Sequence, residues 1–327
     1  MPVDFAPVRG ATTIRDNRVR DVGGRGIAAL AAVTTLDVHG NLVERAKHGI
    51  VMEERARAAA ASVVHNSVLD IGSREQDRGN ASLGIQVLGA LRASVESNTV
   101  DGVGTVTDAR GDSVGINLVA CADSRVSNNT VHRIGFVQSG SAEVGIRLRG
   151  GIRRALVVGN SVRRQLVDVD DDGPSSFQGL LIGADADPLE FGGFASLGWV
   201  FGAGSLGFAI GPITAYAVRT GPAAVTVDAN IISGSAELPT VLVGVSGDVV
   251  VSGNQLHTRF EGPAPALRVL AIAATVGNNR LRGGRPSAQL EVDPSRLAVV
   301  GNLSSDQIFV LGGPLTMPWI PLNPSGV

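Results

Sequence analysis

The pattern Val-x-x-Asn-x-Val returns ten times along the chain, and no other feature restricts the fold as tightly. Its asparagines are Asn17, Asn41, Asn66, Asn98, Asn129, Asn160, Asn230, Asn254, Asn279 and Asn302. Three residues before each stands an aliphatic, from Ile14 through Val157 to Val299. Two residues after stands another, from Val19 to Leu281, and only Ser304 departs from the rule. A buried aliphatic, a turn asparagine and a second aliphatic, recurring every two to three dozen residues or so, mark a solenoid.

Each unit holds a second element, seen as Gly49-Ile50, Gly84-Ile85, Gly115-Ile116, Gly145-Ile146 and Gly179-Leu180. Apolar and polar residues alternate in both elements, as in Ser124-Arg125-Val126-Ser127, which is the period of a strand with one buried face. The bend between strands falls at pairs such as Asn128-Asn129, because asparagine tolerates the left-handed backbone region and bonds its own local backbone. Stacked at roughly 4.8 Å, such coils pair each strand with its equivalents above and below. Amides at one register then bond to one another, as in cross-β ladders. A helical or leucine-rich repeat is excluded, since the units show neither a 3.6-residue period nor a Leu-x-x-Leu-x-Leu core.

From about Ile14 to Val310 this pattern resembles the right-handed parallel β-helix repeat family, the pectate-lyase-like superfamily. The resemblance implies an all-β fold: a right-handed, single-stranded parallel β-helix (β-solenoid) of about ten to twelve coils, a rod on the order of 50 Å. It does not imply one activity, since polysaccharide lyases, hydrolases, phage tailspikes and adhesins all use that fold. Residues 1–310 are expected to form the solenoid, with an apolar Gly-rich insertion at about 184–215, and 311–327 a Pro-rich tail or cap.

The asparagine spacings run 24, 25, 32, 31, 31, 70, 24, 25 and 23. The longer middle coils place their extra residues in Asp70–Ser82, Asp101–Ser113, Arg133–Glu143 and Arg163–Gln178, all after the Asn-x-Val step. They should therefore leave the solenoid at one edge as a loop wall, which either forms a binding face or covers a sheet edge. The spacing of 70 hides an insertion or degenerate coils. Within it, Phe191 to Ile213 has no charge and seven glycines, a poor transmembrane helix but a good lid or subunit interface. Trp199 and Phe201 would make such a contact, and Trp319 would anchor the tail on a partner.

A net charge of −2 leaves no electrostatic footprint for nucleic acid or an anionic membrane. The lone Cys121 excludes an intrachain disulfide and reads as a small buried hydrophobe. The first residues show no secretory signal, so the expected setting is the cytoplasm or a particle.

A glycosidase needs two carboxylates about 5–9.5 Å apart. The outward columns contain no such neighbours, including Val51–Gln86–Asn117–Arg147–Leu181 and Glu53–Leu88–Val119–Arg149–Gly183. A lyase would want a base beside calcium-binding acids. Arg147 and Arg149 are the candidates for base or clamp, with Asp168, Asp170, Asp171 and Asp172 about one coil above as the acid cluster. Calcium is the metal that set would take; a solvated turn before Gly173-Pro174 is the blander reading. His132 and His257 share a register several coils apart and read as exposed turn residues. The sequence thus favours a non-catalytic structural or binding subunit of a phage-tail-like or fibre assembly. It would be a homo-oligomer or bound to a protein partner, recognising a carbohydrate or protein and needing no cofactor. The competing reading is a polysaccharide lyase or glycoside hydrolase acting on an acidic glycan.

Overall fold

A computed structural model describes residues 10–52, 58–72, 81–105, 112–135, 143–164, 177–183, 223–234, 238–258, 263–311 and 313–314. Ten coils stack in sequence, each built from a leading, a middle and a closing strand. The leading strands run from Ala11–Arg15 through Asp123–Ser127 and Arg154–Val158 to Leu297–Val300, and form one ten-stranded parallel sheet. The middle strands include Thr130–Ile134, Ser161–Arg163, Gln255–Thr258 and Arg280–Arg282; the closing strands include Ser113–Val119, Glu143–Arg149 and Phe177–Ile182. In the first two coils, Arg18–Ala29 and Leu42–Met52 serve as middle and closing strand together.

The asparagine column at the corner after each leading strand holds the stack together. Every ladder asparagine donates from Nδ2 to Oδ1 of the next, from Asn17–Asn41 to Asn279–Asn302, at 2.9–3.0 Å. The same Oδ1 also accepts the backbone N–H of the preceding asparagine, as from Asn98 to Asn129 at 2.9 Å. The remaining Nδ2 proton goes to the carbonyl of an inward aliphatic one coil back, as from Asn129 to Val95 at 2.9 Å. From Asn41 onward these amides are buried, and each is fully bonded, which burial of a polar group requires.

The left-handed backbone residue is not the ladder asparagine, as expected, but the residue before it in all ten coils. That position holds Asp16, Gly40, His65, Ser97, Asn128, Gly159, Ala229, Gly253, Asn278 and Gly301. The preceding residue turns the chain so that the asparagine can point inward and continue the column. At Gly159 a Cβ would also lie 2.5 Å from Asn128 Oδ1 of the coil below, so the side chain stacked there leaves no room.

Aliphatics three before and two after each asparagine, such as Val126 and Val131, line one continuous core with Ile116, Ile146 and Leu180 of the closing strands. The glycines of the Gly-Ile element form their own column. A Cβ on Gly145 would meet Val162 Cγ1 at 2.3 Å and the Gly179 carbonyl at 2.6 Å, so neighbouring backbones approach there as no other residue allows.

No coil of the stack intervenes between the leading strands that flank the spacing of 70. Arg154–Val158 pairs directly with Ala223–Asp228, and Asn160 bonds Asn230 at 2.9 Å. The extra chain is therefore an excursion between Gly183 and Ala223, outside the described residues, at a corner that one to five residues span elsewhere. Parallel winding ends at Ile308–Val310, where Gly313–Pro314 returns antiparallel. The tail beyond, with Trp319, and the insertion, with Trp199 and Phe201, lie outside the described residues.

Asn129→Ala removes the acceptor of two Asn98 donors in a closed core. It should cost about 2–4 kcal/mol by urea denaturation, given the penalty for orphaned buried donors. Asn17→Ala, at the exposed end of the column, should cost less than about 1 kcal/mol. Equal losses at the two sites would contradict a ladder whose worth lies in burial.

Candidate functional site

The leading strands carry a groove on their outer face. Their outward positions run in straight columns across coils two to seven: Thr35, Ala60, Arg92, Asp123, Arg154 and Ala224 in one. The other holds Asp37, Ser62, Ser94, Arg125, Leu156 and Thr226. Strand alternation places these side chains outside while Ala61, Ala93 and Ala155 face the core. Because half of them are small or hydroxylated, they leave a groove of about 810 Å³. Five coil steps make it about 24 Å long.

Charge in the groove is mixed. Asp123 accepts from Arg154 Nη2 at 2.9 Å and from Arg153 Nε at 3.0 Å. Hydrogen bonds from Arg154 and Arg153 hold its carboxyl well below the usual carboxylate range. Arg125 lies 3.4 Å from Glu96, which also accepts from Ser94 and Ser127. Burial opposes the Glu96 anion, but those hydroxyls and Arg125 outweigh it, and the group titrates low. Arg92 is exposed and has no ion pair among the described residues. The groove thus offers fixed donors and acceptors at a coil-to-coil repeat, with no aromatic residue in its lining.

The column containing Arg147 does not face solvent as its outward position led us to expect. Arg147 is only 8% exposed. Its Nε donates to Asn117 Oδ1 at 2.9 Å, Asn117 Nδ2 donates to Gln86 Oε1 at 2.8 Å, and Asp112 lies 3.6 Å from Nη1. Beside this relay Val114, Val144, Leu181 and Leu242 form a second apolar cluster outside the main core. An arginine so bonded bridges neighbouring coils. Arg149 pairs in register with Val119 and is half-buried. Asp168, Asp170, Asp171 and Asp172 lie outside the described residues. Among the described residues no group of three or more His, Cys, Asp or Glu side chains could hold a metal ion.

The loop corner is anchored by a pair not expected from sequence. Arg164 Nη2 lies 3.1 Å from Glu143 Oε2, both nearly buried, with Phe177 beneath the guanidinium at 6.0 Å. Glu143 reads in sequence as a loop end, yet it opens a closing strand between Ser113 and Phe177. The strand ends align in the same way, Ile71 with Val103 and Val103 with Ile134, so the four long loops leave from one corner. Their interiors lie outside the described residues. A second Arg133 clasp ties that corner, to Asp101 at 2.7 Å and to Asp70 at 3.4 Å.

Cys121 is buried in the core, and burial pushes its thiol up to about 12. His132 and His257 lie on middle strands, not in turns, and share one outward column.

The fold places the chain among parallel β-helix proteins. Residues 8–165, just under half of the chain, match the family model described as "Right handed beta helix region", and the same register continues to Val310, so the fold is a right-handed parallel β-helix. No curated protein matches the sequence. Among solved structures, the Dettilon tailspike protein is similar at a TM-score of 0.38 and 11% identity, over 93% of this chain and 61% of that one. The chain thus spans about three fifths of that protein's length.

Two outcomes follow. The folded value of Asp123 lies below its ordinary 3.8, so its contribution is present at neutral pH and fades as pH falls from about 4 toward that lower value. Asp123→Asn should cost about 1 kcal/mol at pH 7, since the arginines are half-exposed, and the deficit should shrink below pH 4; a pH-independent deficit would refute the pairing. Native Cys121 should resist a thiol reagent at pH 8 and react stoichiometrically only in denaturant.

Proposed function

We propose that the chain is a non-catalytic binding protein that holds an extended carbohydrate along the outer face of its leading strands, as one subunit of a fibre- or tail-like assembly. The observation that carries this reading is the straight groove itself. A linear polymer presents hydroxyls at a regular repeat, and the groove presents Arg92, Arg125, Asp37, Ser62, Ser94 and Thr226 at the coil repeat. Small floor residues such as Ala60 let a sugar ring approach the sheet, and recognition proceeds by hydrogen bonds because no aromatic platform lines the groove.

A non-catalytic role is supported by the state of the carboxylates. Glu96, Asp123 and Asp293 each titrate below the usual carboxylate range. They suit hydrogen-bond acceptors, whereas a glycosidase acid has its value raised. The assembly role rests on shape: a rod of stacked coils is suited to a shaft, with a protein partner or further copies along or beyond it. The reading needs no cofactor.

The test is a panel of linear neutral and acidic oligosaccharides titrated calorimetrically into the full chain. Arg92→Ala should weaken binding about fivefold or more, and Ala60→Trp, which fills the floor, should abolish it without lowering Tm. Binding that survives Ala60→Trp would move the site elsewhere. New reducing ends or unsaturated products in the same mixtures would replace this reading with the hydrolase or lyase alternative.

A further inference from the structure

A separate flank carries a different electrostatic feature, on the outer face of the middle strands from coil six to coil nine. Gln255 pairs in register with Arg280, and Ser233 pairs with His257, which pairs with Arg282. Arg163 follows Val162, the partner of Ile232, and so stands one coil before Ser233 in the same column. These side chains line a depression of about 340 Å³ with no acidic residue in its lining among the described residues.

Elsewhere many of the described arginines reach a carboxylate: Arg20 reaches Glu44, Arg133 reaches Asp101, Arg154 reaches Asp123 and Arg268 reaches Glu291. Arg163, Arg280 and Arg282 are exposed and reach none among the described residues. The neighbouring imidazole registers the imbalance. His257 titrates below its ordinary value, through partial burial and then the charge of Arg282. His132, in register with Arg163, also titrates low: burial lowers it, Asp101 opposes, and Arg163 and Arg133 add to the lowering. Its Nε2 is buried with no hydrogen-bond partner among the described residues. Three exposed guanidinium groups thus stand along this flank in a chain whose net charge is −2.

Spacing selects the ligand. Arg280 and Arg282 project from one strand about 7 Å apart, close enough to share one oxyanion. Arg163 stands three coil steps from Arg282, about 14 Å, too far for the same small ion. We propose that this depression binds a glycan substituted with phosphate or sulfate, one oxyanion held by Arg280 and Arg282 beside His257 and the next by Arg163. Guanidinium forks suit tetrahedral oxyanions, and three of them make a patch well short of the 6–10 or so phosphate contacts of a duplex DNA binder. The inference is independent of the groove on the leading strands.

The experiment titrates the full chain at low and at physiological salt with five probes. They are a heparin-derived hexasaccharide, its desulfated counterpart, a phosphorylated oligosaccharide, inorganic sulfate and a DNA duplex. The sulfated or the phosphorylated oligosaccharide should bind at least about tenfold more tightly than the desulfated one, and more weakly as salt rises. Binding should raise the NMR-measured titration midpoint of His257, because an anion favours the imidazolium. The triple variant Arg163→Gln, Arg280→Gln, Arg282→Gln should lose about tenfold or more with Tm unchanged, while Ala60→Trp leaves this binding intact. Failure of both substituted oligosaccharides to bind, or wild-type affinity in the triple variant, would overturn the site. Tighter binding of DNA would overturn the glycan assignment. Inorganic sulfate matching the hexasaccharide would overturn the two-group spacing.

Discussion

The asparagine ladder is the interaction on which the rest of the molecule depends. Each buried amide from Asn41 to Asn279 joins three coils: it accepts from the coil before, donates to the coil after, and donates again to a carbonyl one coil back, as at Asn129. In a core closed to water each of these bonds is obligatory, because an unpaired amide there costs more than the bond itself is worth. The ladder therefore sets the coil spacing, and with it the register of every outward column. The grooves and charge patterns on the flanks inherit their regularity from this buried row.

Much of this was legible in the residues. Ten asparagines flanked by aliphatics specify a column, and the outward positions two and four residues before them, Arg15 to Val300 and Thr13 to Ala298, pair at every rung. Asparagine's tolerance of the left-handed region suggested that it made the bend. The bend instead belongs to its predecessor, since an inward amide cannot also reverse the chain. The abundance of Gly, Asn and Asp just before the ladder position carried that signal.

Alternation told which face Arg147 occupies but not whether that face is covered. The apolar cluster of Val114, Val144, Leu181 and Leu242 beside it belongs to side chains from four different coils. The third outward column, with Arg92, Asp123 and Arg154, was missed although each stands six residues before a ladder asparagine. The strands extend further back than the Val-x-x-Asn motif that announces them. Ion pairs between coils, such as Arg164 with Glu143, were hidden because loop length masks spatial adjacency.

The corner between Gly183 and Ala223 has a consequence beyond this one chain. The amide row crosses it unbroken, from Asn160 to Asn230, and the flanking strands pair as though nothing intervened. Length at that vertex is thus decoupled from the integrity of the rod, since lengthening a closed loop costs little entropy once its ends are fixed. Such a vertex works as a splice port: a different segment can be inserted there by design while the stacked coils on either side stay in place.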